Sequence, residues 1–189
     1  MAENQVTVGG KIFELPQPFM VIATQNPVEF MGTYHLPEAQ MDRFMMCLSI
    51  GYPEIEEEKR LLQNILDGKI VDKINSVCKA EDILKIKNEV QNVKVSEGLI
   101  GYIQEIVNLT RQEANFVIGA SPRAAISLMR AAQAMAYLQG RDFVKPDDVK
   151  RVVVPCFHHR ISLTSEAKIR KENLDKLLET LVLRARVPM

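Results

Sequence analysis

Two short runs of alternating hydrophobic and polar residues open the chain, Gln5–Val8 and Lys11–Glu14, with Gly9 and Gly10 between them. Period-two alternation on both sides of a two-residue glycine loop predicts a β-hairpin, because a primed turn needs positive φ and glycine accepts it. Gly9-Gly10-Lys11 does not make a phosphate-binding loop. In the GxxxxGK[ST] pattern the first glycine would fall on Gln5 and the hydroxyl residue on Ile12. Two continuous apolar runs follow: Phe19–Thr24, stopped by Gln25-Asn26-Pro27, and Phe44–Ile50, stopped by Gly51-Tyr52-Pro53. Such runs predict strands buried on both faces, as in a parallel sheet covered by helices. Between them the pattern gives a loop from Glu29 to Leu36 and a short helix opening at Pro37.

After Pro53 the period changes to that of a helix. The stretch Glu54–Leu66 has acidic residues in its first turn and apolar residues at Ile55, Leu61, Leu62, Ile65 and Leu66. Ser96 caps a helix whose stripe is Leu99, Ile100, Ile103, Ile106 and Val107. Ser121-Pro122 starts an alanine-rich helix that the pattern carries to Gly140, Pro146-Asp147-Asp148 starts another, and Lys171–Leu183 reads as the last. Alanine on a helix face lets neighbouring helices approach closely. The chain therefore divides into a small α/β portion, residues 1–53, a connecting helix, 54–66, and a helical portion, 67–189.

Composition changes this picture little. Of 189 residues, 47% are hydrophobic and 25% charged, which excludes disordered and collagen-like classes. Cys47, Cys78 and Cys156 are three, widely spaced and without a CxxC pair, so a reduced, cytoplasmic setting is expected. No apolar run approaches the roughly 20 residues of a membrane span, and no membrane insertion is expected. The 24 basic residues balance the 24 acidic ones, and tryptophan is absent; neither favours nucleic acid as a partner. The charge is uneven, since residues 1–53 carry only Lys11 and Arg43 against Glu3, Glu14, Glu29, Glu38 and Asp42. The basic excess gathers after Arg123, where it suits either a solvated helical face or a phosphate-bearing ligand.

Three polar residues stand where chemistry is plausible on position. Asn26 follows the carboxyl end of an apolar strand, the place where open α/β sheets hold ligands, and its amide can orient a water or a phosphate oxygen; Asn-Pro is equally a turn initiator. Arg43 ends the short helix, and its planar fork suits a phosphate, including one on a neighbouring subunit, or a local pair with Asp42 or Glu38. Arg123 is the second residue of a helix capped by Ser121. A cation there opposes the helix dipole, which favours an anionic partner, with a purely structural role as the alternative. His158-His159 cannot present two ligands on one helical face, His35 is isolated, and no metal site is expected.

Several strings, taken together, resemble the MoxR family of AAA+ ATPases. They are Val21-Ile22-Ala23-Thr24-Gln25-Asn26-Pro27, Leu36-Pro37-Glu38-Ala39-Gln40, Asp42-Arg43-Phe44, Gly119-Ala120-Ser121-Pro122-Arg123-Ala124, Gly140-Arg141-Asp142 and His159-Arg160. His35 stands where the family usually has proline, and Phe30-Met31 replaces a more polar pair. The resemblance implies a fold: an α/β remnant of an AAA+ P-loop core, with the hairpin and two parallel-type strands, followed by an all-α helical lid. It implies that Asn26 is the sensor-1 residue, Arg43 the arginine finger reaching the adjacent subunit's nucleotide, and Arg123 the sensor-2 residue contacting phosphate from the lid of its own subunit. ATP and Mg²⁺ are the implied cofactors. A self-assembled ring, a hexamer in the full-length form, and a von Willebrand A domain protein are the implied partners, and chaperone-like remodelling or assembly of other proteins is the implied work.

The family's Walker A loop and Walker B carboxylates belong before the hairpin, and no GxxxxGK[ST] occurs in these 189 residues. The phosphate cradle and the carboxylate that holds Mg²⁺ are thus missing from this chain, and the chain alone is expected not to hydrolyse ATP. A non-catalytic oligomerisation or interaction module is the alternative reading.

Overall fold

The computed structural model describes residues 5–25, 36–68 and 75–188. The hairpin forms as its alternation requires. Strands β1 (Gln5–Val8) and β2 (Lys11–Glu14) pair antiparallel with Gln5 opposite Glu14 and Val8 opposite Lys11, and Gly9 and Gly10 both take positive φ at the turn.

The two apolar runs do not become laddered strands. Residues 19–25 and 44–50 carry no strand pairing, and Met20, Ile22, Leu48 and Ile50 are exposed. The expectation of two buried parallel strands is corrected on this point. A strand needs a neighbour to take its N–H and C=O groups, and no described segment lies alongside to supply one. The same holds for the next element. Helix α2 (Ile55–Leu66), which follows the short α1 (Glu38–Met41), buries none of its residues, and its apolar face of Ile55, Leu61, Leu62, Ile65 and Leu66 is open.

The core lies in the helical portion. Helices α3 (Ala80–Gln91), α4 (Glu97–Gln112), α5 (Pro122–Leu138) and α6 (Pro146–Phe157) assemble it. A 3₁₀ turn (His158–Arg160), α7 (Ser165–Ile169) and α8 (Leu174–Arg184) complete it. Leu99, Tyr102 and Ile106 of α4, Leu128 of α5, Val149 and Val153 of α6, and Leu178 and Leu181 of α8 are fully buried together. The alanine face of α5 (Ala124, Ala131, Ala132, Ala136) is enclosed, and α5 packs most extensively against α6, the close approach that small side chains permit. A small antiparallel pair, β3 (Phe116–Ile118) with β4 (Ser162–Leu163), interrupts the otherwise helical portion.

Helix starts follow their caps. Ser96 accepts from the Leu99 N–H and Ser121 from the Ala124 N–H, each satisfying an orphan donor of a first turn. At α6 the carboxylate of Asp148 accepts from the Lys145 N–H at 2.7 Å and from Arg141 through both terminal nitrogens, at 2.8 and 2.6 Å. Burial alone would push that carboxyl upward, but the Arg141 fork and the Lys145 N–H hold it below its ordinary range.

Candidate functional site

The loop between α4 and α5 sets where Arg123 starts. Thr110 donates to the Val107 carbonyl at 2.7 Å and accepts from the Ala120 N–H at 2.9 Å, while Arg111 Nε donates to the Ala120 carbonyl at 3.0 Å. Gly119 sits so close to α4 that a Cβ there would meet backbone atoms of Thr110 and Arg111 at 2.8 Å, so only glycine fits. Ser121 and Arg123 are thereby held at a fixed helix start.

Onto that start docks the segment carrying Arg43, through Asp42. Ser121 Oγ donates to Asp42 Oδ1 at 2.9 Å, and Arg123 Nη1 donates to Oδ2 at 3.0 Å. From beneath, Arg160 Nε stands 3.0 Å from Oδ1, too misaligned for a hydrogen bond but close enough for an ion pair. One carboxylate thus receives a hydroxyl and two guanidiniums. The two arginines differ in setting: the Arg160 side chain is 2% exposed, whereas Arg123 is 56% exposed. Asp42 is also the C-cap residue of α1, and Ser162 Oγ donates to Glu38 Oε1 at 3.0 Å to fix the other end of that helix.

The residues after Asp42 lie against the end of α6. The last carbonyls of that helix have no intrahelical partner. Cys47 N–H donates to the Pro155 carbonyl at 2.9 Å, and Arg160 Nη1 to the Cys156 carbonyl at 2.6 Å. His159 Nε2 donates to the Phe44 carbonyl at 3.0 Å, which leaves its buried Nδ1 unpartnered. Burial, chiefly, together with the neighbouring Arg160 and His158 charges, pushes the His159 imidazole below its ordinary range.

Of the three residues singled out by the sequence, two belong to segments that Asp42 joins. Arg43 is exposed and directly follows the carboxylate that Arg123 grips. Asn26 lies outside the described residues, as does His35. Arg123 finds an anion, as its place at a helix N-terminus requires, and that anion is Asp42. Arg123 holds the carboxylate of the residue that precedes Arg43 in the chain; among the described residues no cluster of three metal-ligating side chains is present. His158 pairs with Asp175 at 2.6 Å and His159 with backbone, so the adjacent histidines face different partners. Sequence reasoning missed Asp42 and Arg160. Both occur in strings that carry the resemblance, but nothing in their spacing says that they meet.

This helical unit beside an arginine-bearing segment has recognisable relatives. A family model for the AAA lid domain matches residues 108–181, and one for the ATPase family associated with various cellular activities (AAA) matches residues 1–46. A solved crystal structure from Cytophaga hutchinsonii superposes with a TM-score of 0.89 at 38% identity, covering 100% of this chain and 60% of that one. The class is that of AAA+ ATPases: a truncated core portion followed by a lid.

Within that class the chain is 41% identical over its whole length to the uncharacterized protein YeaC of Bacillus subtilis, of which it covers 59%. It is 36% identical to the chaperone MoxR1 of Mycobacterium tuberculosis, over 88% of this chain and 46% of that protein. The chain belongs to the MoxR family of AAA+ ATPases. It spans about half the length of these curated relatives.

Proposed function

We propose that this chain is the arginine-bearing and lid portion of a MoxR-type machine that couples ATP binding and hydrolysis to the remodelling or assembly of partner proteins. The machine is a ring of identical subunits, a hexamer, that works with a von Willebrand A domain protein, in the cytoplasm. The observation that supports the reading is the Asp42 clamp, which ties the exposed Arg123 to the residue preceding the exposed Arg43. ATP with Mg²⁺ supplies the scissile phosphate; the P-loop and the Mg²⁺ ligands come from the portion of the relatives that this chain does not span. Asn26 serves as sensor 1, orienting the attacking water.

The Arg123–Asp42 pair does not disqualify Arg123. A half-exposed ion pair is worth about 0–1 kcal/mol, so a multiply charged phosphate tail displaces the carboxylate readily. The clamp also favours a second placement for Arg123. If Arg43 reaches the nucleotide of an adjacent subunit, Arg123, tied to the preceding residue Asp42, reaches the same one rather than its own subunit's. Both arginines then neutralise charge developing on the transferred phosphoryl group, a role worth about 10³–10⁵ in rate for an arginine finger.

Steady-state ATPase assays on a protein joining this chain to the P-loop portion test the reading. Arg43→Ala and Arg123→Ala are each expected to cut kcat by at least a hundredfold while ATP still binds. Unchanged turnover in both would overturn it. The chain alone is expected to show no turnover.

A further inference from the structure

Arg160 is the most enclosed charged side chain near the site, and most of its donors go to the backbone of a distant segment. Nη2 donates to the carbonyls of Asp42 at 3.0 Å and Phe44 at 2.5 Å, and Nη1 to that of Met45 at 3.3 Å. Ser127 Oγ accepts from Nη2 at 3.1 Å and the Cys156 carbonyl from Nη1 at 2.6 Å, which roots the guanidinium in α5 and α6. The preceding residue adds a second grip, through His159 Nε2 and the Phe44 carbonyl. The carbonyls held are those of residues 42, 44 and 45. The residue skipped is Arg43, whose side chain is left facing outward.

Burying a guanidinium is costly, and an apolar side chain of similar volume would fill the same space without that cost. Three of the five hydrogen bonds from the Arg160 terminal nitrogens go to backbone that flanks Arg43, in a planar fork that lysine cannot reproduce. This arrangement fixes the path of another segment rather than merely filling a core.

We infer that Arg160 is the positioning residue for Arg43: it fastens the backbone on both sides of Arg43 to the end of α6, so that Arg43 moves as one body with the helix start that carries Arg123. The inference rests on the proposed role of Arg43 for its catalytic consequence, though not for the fastening itself. The Arg160 side chain is buried, and the Asp42 carboxylate joins it to Arg123.

Two measurements test it. Hydrogen exchange on the 189-residue chain reads the fastening: Arg160→Gln should speed exchange of the hydrogen-bonded amides of residues 43, 44 and 47 at least tenfold, while those of α4 and α5 stay protected. Arg160→Lys, which keeps charge but loses the fork, should fold and also release that segment. Protection unchanged in both variants, or fully restored by lysine, overturns the inference. Turnover in the protein that carries this chain with the P-loop portion reads the consequence. Arg160→Gln should lower kcat about a hundredfold with KM for ATP unchanged, as misplacing a reacting group by about 1 Å does. Adding it to Arg43→Ala should cost nothing more. Additive losses in the double variant would show Arg160 acting independently of Arg43 and refute the positioning role. Should Arg43→Ala itself leave turnover intact, the functional reading fails, and the exchange arm decides the fastening on its own.

Discussion

Removing the Asp42 carboxylate should separate the two arginines that share it. Breaking a buried ion pair from one side costs about 3–5 kcal/mol, because the surviving charge stays out of water. Asp42 is 22% exposed, and Arg160 keeps its carbonyl and hydroxyl acceptors, so Asp42→Ala belongs at the low end, about 3 kcal/mol. For a chain of this size that is a fall of about 6–12 °C in Tm. Arg123→Ala removes the other partner, and its half-exposed pair should cost no more than about 1 kcal/mol. Urea unfolding followed by far-UV ellipticity, for both single variants and the double, measures the difference. The double variant should resemble Asp42→Ala alone, since the pair is already broken. Equal losses for the two single variants would refute the reasoning, because Arg123 would then be held as firmly as Arg160 and not be free to exchange Asp42 for phosphate.

Three further outcomes follow from the same structure. Asp148→Ala strands the Arg141 guanidinium and uncaps α6, so it should cost about 3–5 kcal/mol, whereas Asp147→Ala, at an 80% exposed partner of Lys150, should cost under about 1 kcal/mol in the same assay. Gly119→Ala forces a Cβ into the α4 backbone and should destabilise by about 1–3 kcal/mol, while Gly101→Ala, mid-helix and meeting nothing within 4 Å, should stabilise by about 0.5–1 kcal/mol. The lowered pKa of His159 sets the sign of a pH effect. Its folded pKa lies below its unfolded one, so the unfolded chain binds the extra proton, and stability is present above the ordinary value of 6.5 and falls as pH drops through it. Unfolding midpoints between pH 8 and 5 should show that decline, and His159→Gln should flatten it.

What the sequence made legible was local. The Gly9-Gly10 hairpin, the Ser96 and Ser121 caps and the proline at the start of α6 each depend on a few neighbouring residues, and each formed where expected. Periodicity identified α2 and α8 to within a few residues but did not single out α3, whose stripe of Ile83 and Ile86 is only half covered. Strand pairing was not legible, since Phe19–Thr24 has the composition of a buried strand and lacks only a neighbour. The β3–β4 pair joins residues far apart in the chain, and so does the clamp: Arg123 and Arg160 meet Asp42 across 81 and 118 positions. Resemblance marked Arg43 and Arg123 separately, as residues of interest in different roles. Only packing could show that the carboxylate preceding Arg43 holds Arg123 and Arg160.

The central claim is that Arg43 and Arg123 act together on one nucleotide, held by another subunit. Mixing two inactive forms of the assembled protein tests it most directly, one with its P-loop lysine replaced and the other carrying Arg43→Ala and Arg123→Ala. Steady-state ATP turnover in the mixture should rise well above that of either form alone, because each intact P-loop can then meet an intact arginine pair across an interface. No recovery at any mixing ratio, with mixed rings shown to form, would contradict the account.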